Sequence, residues 1–390
     1  MPLTRGWSFF APRRNKVSHD AGYPHFEPLA KSTSAPNLPD RFQNLESSRD
    51  LWCQMMSFTV LHMNKDLFRA RKLFLQAGLA EKIVLIVDDR PLLTYFWTIP
   101  WTLYMLGPEW RLQILSQKSN KYIFEAIVED YALDNVFIDT LEDRYGYGDW
   151  IDTQFLHKVQ FMLSKQFWQG VRGERVLIVQ DHGVPVRRWD SPSAAVVVQE
   201  LFKYAYAGAP WSLHANNISS YPSGPEIVKN VIQTPVWPAD PGGNGGFSYR
   251  KRSVFLELGV DIGVPFENLL ANSTRHDSLG TEYEDWVWGR VIGDRPFGTA
   301  PKLLENMFSS ETLDSLTPLG VHNYYHHHSW RKTRRLVHFA MSEFFSCHQV
   351  VGSLTSCPAE KAEFLLHPWS RPWDELLRRF PSSTPPNECF

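Results

Sequence analysis

Short runs of aliphatic, largely β-branched residues alternate along this chain with stretches of helical spacing, and that alternation restricts its possible folds more than any other feature. Lys82-Ile-Val-Leu-Ile-Val87 is apolar at successive positions and stops abruptly at Asp88-Asp89-Arg90. A strand that is apolar on both faces is buried on both, as in a parallel sheet covered by helices. Arg111 to Leu115, Asn135 to Ile138 and Arg175 to Gln180 are strands by the same reasoning. Helical spacing separates them, from Leu92 to Leu106 despite Pro100, near Asn120 to Glu129, and from Thr153 to Phe167. The pattern predicts an α/β fold, a mostly parallel sheet flanked by helices, with its ligand crevice at the carboxyl ends of the strands.

At 390 residues and 43% hydrophobic content, the chain can bury a sizeable core. Pro, Ser, Arg, Asn and Lys dominate the beginning, so residues 1–48 are expected to be a flexible leader, 49–378 a single catalytic domain and 379–390 a flexible tail. Asp50 to Gly78 carries apolar residues at near-helical spacing. A formal net charge of -2 gives no general attraction to nucleic acid or an anionic membrane. Charged and helix-breaking residues interrupt the most apolar windows, so no integral membrane span is expected. Cys53, Cys347, Cys357 and Cys389 match neither a zinc pattern nor a dense disulfide framework, so reduced thiols and a cytoplasmic location are the expectation.

Glycine clusters mark the second half. Tyr206-Ala-Gly-Ala-Pro-Trp211 and Gly243-Asn-Gly-Gly-Phe-Ser-Tyr-Arg250 are followed by Glu284-Asp285 and Gly320-Val-His322. Glycines packed this closely suit a backbone that a bulky ligand approaches, because a Cβ would occupy ligand space. A tight turn packed beneath a helix would also need them. Composition shifts toward Gly, Pro, Ser and Asn between Pro210 and Gly246, which predicts a long surface loop, a candidate lid, leading into a glycine-rich turn. Leu319 to His328 holds four of the 14 histidines, and His322 and His326 would share one face of a helix. No His-Glu-x-x-His pattern accompanies them.

In their order and wording these segments resemble an uncharacterised family of glycosyltransferase-like proteins related to nucleotide-sugar transferases of the GT-A type. Ile86-Val-Asp-Asp-Arg90 resembles that family's first strand and Leu106-Gly-Pro-Glu-Trp110 its next segment, so the likeness reaches from there to about Asn323. The resemblance implies a GT-A-like, Rossmann-like domain with a nucleotide-sugar co-substrate, the donor being UDP-linked. It places the donor at Asp89, which can accept from ribose or base, and at Arg90, which can pair with phosphate. Gln180-Asp181-His182 stands where relatives carry an acidic metal motif for Mn²⁺ or Mg²⁺. Here the acid comes one residue early and His182 replaces the usual Asp, while Ala205 replaces the Asp of a Tyr-Asp-Tyr. Both departures remove carboxylate, so the implied metal ligands are Asp181, His182 and His322, with weak divalent-metal dependence. Asn244, Gly245 and Gly246 would shape the sugar and acceptor pocket and Trp211 an apolar wall.

By position Glu284-Asp285 resembles the acidic pair of such transferases, although an acidic helix N-terminus is the plain alternative. An inverting transferase needs a carboxylate that takes the proton of the acceptor hydroxyl; Asp285 is the expected base and Glu284 its alternate. The expected activity is transfer of a sugar, with inversion, to the hydroxyl of a small molecule, glycan or protein. Two rivals remain: a non-catalytic nucleotide-sugar or carbohydrate-binding protein on the same fold, and a metal hydrolase built on the histidine cluster.

Overall fold

Alternate residues of the first strand point into different apolar layers, and the rest of the architecture follows from that. The computed structural model describes residues 52–53, 55–56, 81–134, 136–145, 155–210, 243–261, 284–293, 295–311, 315, 317–323, 332–333, 335–337, 339–341, 343 and 378–381. The strands are β1 (Lys82–Val87), β2 (Trp110–Ser116), β3 (Val136–Thr140), β4 (Arg175–Val179), β5 (Gly183–Pro185), β6 (Tyr206–Ala209), β7 (Asn244–Lys251), β8 (Ser309–Ser310) and β9 (Gly320–His322). The helices are α1 (Tyr95–Leu106), α2 (Lys121–Asp130), α3 (Leu141–Tyr145), α4 (Phe155–Met162), α5 (Lys165–Gly170), α6 (Pro192–Leu201), α7 (Arg252–Leu258), α8 (Glu284–Gly293) and α9 (Lys302–Phe308).

Six strands form one sheet in the order β3-β2-β1-β4-β7-β6. β1 pairs in parallel with β2 and β4, and β2 with β3. β7 runs antiparallel to both of its neighbours, so the sheet is mostly parallel but mixed. Val84, Ile86, Leu112, Ile114, Leu177, Val179, Phe247 and Tyr249 enter one apolar cluster with α1, α2 and α6. Ile83, Leu85, Val176 and Ile178 enter a second, with Phe167 and Trp168 of α5, Phe255 of α7 and Trp288 of α8. The sheet is thus covered on both faces, which the unbroken aliphatic runs demanded. Each such buried aliphatic or aromatic side chain contributes about 1.5–3 kcal/mol relative to leaving it in water.

Every residue of α1 is buried, Pro100 included. A helix apolar all round belongs inside a layer, where neighbours compensate for the backbone bond that proline forgoes. The helix expected from Thr153 to Phe167 is two helices. Ser164 divides them, since its hydroxyl accepts from the Phe167 N–H at 3.1 Å and caps α5. Asn244 to Arg250, within the segment read as a glycine-rich turn, lies instead in strand β7, second from the edge of the sheet.

A second, small sheet stacks β5, β9 and β8 in that order, with Gly183 opposite His322 and Ser310 beside Val321. One expectation needs correction. Cys53 is disulfide-bonded, so it is not a reduced thiol. Near the expected boundary at 379, Phe380 is buried against Phe96, with ring centroids 5.3 Å apart. Of the segment from Asp50 to Gly78, residues 52–53 and 55–56 are described, and they are helical. Among the described residues no helix is long and apolar enough to cross a membrane.

Candidate functional site

Strand order reverses at β1: the chain adds β2 and β3 on one side and places β4 on the other. Such a switch point leaves a crevice beyond the carboxyl ends of the two central strands. Asp88-Asp89-Arg90 leaves β1 there and Gln180-Asp181-His182 leaves β4. Buried Asp88 accepts from Arg90 Nε and Nη2 at 2.9 and 2.7 Å and from the Tyr95 hydroxyl at 2.5 Å. Arg90 Nη2 also reaches Asp181 Oδ1 at 3.0 Å, joining the two strand ends. Burial opposes the charge on Arg90, but the hydrogen bond and charge of Asp88, with the charge of Asp181, hold its pKa above the ordinary value. The Arg90 side chain is nonetheless 50% exposed, and its Nη1 bonds to none of the described residues. Beside it the Asp89 carbonyl is fixed by Asn120 Nδ2 at 2.5 Å, leaving the carboxylate without a hydrogen bond among the described residues.

The small sheet carries the next part of the site. Because β5 follows His182 directly and pairs with β9, His182 and His322 face each other with ring centroids 4.6 Å apart. Asp181 Oδ1 lies 3.0 Å from His182 Nδ1. Burial would raise the Asp181 pKa, but the hydrogen bond and charge of His182, together with Arg90, hold it well below the usual carboxylate range. On the far side, Glu311 follows β8 and is buried with its Oε1 3.2 Å from His322 Nδ1 and 3.4 Å from Asn244 Nδ2.

A divalent metal fits this arrangement poorly. Asp181 is shared by a guanidinium and an imidazole, so a cation already occupies the place of the metal charge. Among the described residues no group of three or more His, Cys, Asp or Glu side chains is disposed to hold a metal ion.

β7 completes the site. Its register against β6 shifts between Ala207 and Ala209, and this bulge releases Gly245 and Gly246 toward β4, where the Gly246 carbonyl accepts from the Gln180 N–H at 2.8 Å. Close approach explains both glycines. A Cβ on Gly246 would stand 2.2 Å from His322 Nε2 and 2.5 Å from Gln180 Oε1, and one on Gly245 would stand 2.8 Å from Arg250 Nη2. Asn244 Oδ1 accepts from the Gly246 N–H at 2.7 Å.

Beneath Gly245 lies the acidic start of α8. Asp285 Oδ2 accepts from the Gly245 N–H at 2.8 Å and its Oδ1 from the Trp286 N–H at 2.9 Å. Burial, then the charge of Glu284, push the Asp285 carboxyl up to about 7, against the smaller pull of those bonds and of Arg250. Glu284 forms a two-bonded pair with the fully buried Arg250, both contacts being 2.7 Å. The rings of Tyr206, Phe255 and Trp168 surround that guanidinium at 5.4, 5.7 and 6.0 Å.

A continuous chain of contacts therefore links Arg90, Asp181, His182, His322, Gly246, Asn244, Gly245 and Asp285. Asp89 and Gln180 border it. Trp211 and His326 to His328 lie outside the described residues. Sequence reasoning missed Asp88 as the partner of Arg90, although its place at the end of an aliphatic run was a usable signal. Glu311 gave none, because Ser309-Ser-Glu311 is an unremarkable triplet until β8 pairs with β9.

Residues 151–322 match a family described as a protein of unknown function (DUF5672). The matched stretch runs from just before α4 to the last residue of β9, taking in β4, the β7 glycines, the acidic pair and His322 but not β1. No curated protein matches the chain.

Proposed function

We propose that this protein is a GT-A-like glycosyltransferase that moves a sugar from a nucleotide-sugar donor, UDP-linked, to an acceptor hydroxyl with inversion. The observation that carries the reading is the joining of Arg90 and Asp181 across the switch point of the sheet, with the Arg90 side chain half exposed and its Nη1 bonded to none of the described residues. In this reading Asp89 accepts from the ribose or base and Arg90 Nη1 binds a diphosphate oxygen. Asp285 takes the proton of the acceptor hydroxyl while that oxygen attacks the anomeric carbon. The bond from that carbon to the diphosphate breaks, and its electron pair leaves with the diphosphate, whose charge Arg90 offsets. A carboxyl raised to about 7 suits a base at neutral pH.

The cationic work at the diphosphate falls to Arg90, so divalent-metal dependence is weak. Removing metals with a chelator is expected to leave most of the activity; complete loss restored by Mn²⁺ would overturn that part. The decisive measurement is a panel of nucleotide sugars, read by thermal shift and by release of free nucleoside diphosphate. One donor is expected to raise the unfolding temperature and to be consumed when an acceptor is present. A donor that binds but is never consumed would support the binding-protein alternative, which the commitment of Asp181 to Arg90 and His182 favours.

A further inference from the structure

One face of α1 touches both strand ends of the crevice. The Tyr95 hydroxyl donates to Asp88 Oδ2 beyond β1, at 2.5 Å. Three residues on, the Thr98 hydroxyl lies 3.1 Å from the Asp181 carbonyl oxygen beyond β4 and 3.2 Å from that of Thr94. Tyr95 and Thr98 are both buried, so this brace belongs to the core. Burial, then the charge of Asp88, hold the Tyr95 hydroxyl well above its ordinary pKa, and it stays a donor. Donors fill the rest of Asp88. Its Oδ1 accepts from the Arg90 backbone N–H and from Arg90 Nε, both at 2.9 Å, and its Oδ2 from Arg90 Nη2 at 2.7 Å. Nη2 gives its other hydrogen to Asp181 Oδ1 at 3.0 Å. A guanidinium carries five N–H bonds in one plane, and three are committed here. The remaining two belong to Nη1, which bonds to none of the described residues, on a side chain that is half exposed.

We propose that Asp88 and Tyr95 are positioning residues that fix the plane of the Arg90 guanidinium, so that it meets a ligand through Nη1 alone. An unclamped arginine grips a carboxylate or phosphate with two parallel N–H bonds from two nitrogens. Here Asp88 takes the Nε–Nη2 edge and Asp181 the outer hydrogen of Nη2, so no two-nitrogen fork remains. The direction of the contact is set from the core through Tyr95, and a side chain already ordered loses little freedom when a ligand arrives. That the ligand is a diphosphate rests on the transferase reading; the fixing of the plane does not.

The test is a proton–nitrogen correlation spectrum of the full-length protein with isotope-labelled arginine, Arg90 being assigned by the signal lost in Arg90→Gln. In the wild type Nη1 and Nη2 of Arg90 are expected to give separate signals, because rotation of the guanidinium is hindered. Asp88→Asn is expected to merge them, and Tyr95→Phe, which keeps the ring and removes only the hydroxyl, to hasten the rotation. Inorganic diphosphate is then expected to move the Nη1 signal more than that of Nη2, and to bind Tyr95→Phe about threefold to tenfold more weakly than the wild type. Merged signals in the wild type, or an Nη1 that diphosphate leaves unmoved, would overturn the proposal. Rotation as slow in either variant as in the wild type would remove that residue's role. Should Asp88→Asn fail to fold, the wild type and Tyr95→Phe decide. The rotation is read without any ligand, and a diphosphate that moves Nη1 while every nucleotide sugar goes unconsumed would sink the transferase reading alone.

Discussion

On the proposed transferase reading, Asp285 is where chemistry and stability pull on the same proton. Asn in its place cannot accept a proton at neutral pH, so Asp285→Asn is expected to slow turnover by roughly a hundredfold or more while donor binding survives. Steady-state kinetics beside a donor thermal shift check this, and unchanged turnover would leave the acidic pair as a helix start. The same residue sets a pH dependence of stability. Its folded carboxyl titrates at about 7 against an ordinary value of 3.8, so the stabilisation from its proton is complete below about pH 4. As pH rises, the unfolded chain gives up that proton first, and the contribution is lost by the time pH passes through about 7. Asp181 works in the opposite sense: its depressed folded value adds stability above the unfolded pKa that disappears as pH falls. Unfolding temperatures across this range are expected to fall less steeply with rising pH in Asp285→Asn than in the wild type.

At the scale of elements, β7 decides what neighbouring substitutions mean. Glu284→Gln removes the charge partner of a guanidinium that is 0% exposed, and breaking a buried pair in this way costs about 3–5 kcal/mol. An inactive Glu284→Gln enzyme would therefore say nothing about catalysis unless its folded fraction were measured as well. Chemical denaturation is expected to show that loss. Gly246→Ala is expected to cost about 1–3 kcal/mol by overpacking, because the new methyl group meets a ring held by Glu311. A near-neutral result would mean that Gln180 and His322 yield easily. β7 was also the element least legible in the sequence. Its first residues are glycines, which weaken any strand signal, and their reason for being there is contact with β4, β9 and α8, all distant along the chain. β1 and β4 were legible because aliphatic runs buried on both faces carry their own evidence. Likewise the candidate residues in those runs and glycine motifs could be named from sequence, whereas Glu311 depends wholly on pairing between β8 and β9.

For the molecule as a whole, the disulfide at Cys53 replaces the reduced thiol expected from cysteine spacing, and such bonds persist in oxidising surroundings. Alkylation followed by mass measurement is expected to find Cys53 protected before reduction and reactive after it. Reduction is expected to lower stability by about 2–4 kcal/mol, read from denaturation midpoints. A freely alkylated Cys53 in native, unreduced protein would return the chain to the reduced class.

The site gathers Arg90, Asp181, Gly246, Asp285, Glu311 and His322 from distant points of the sequence. Contacts of such long separation close late, after the intervening loops have been ordered at an entropic cost. A nascent or truncated chain that ends before Gly320 lacks the strand that presents His322. On the proposed reading, ligand binding that uses His322 is a report on completion: it registers only those molecules whose late-arriving segments have reached the small sheet.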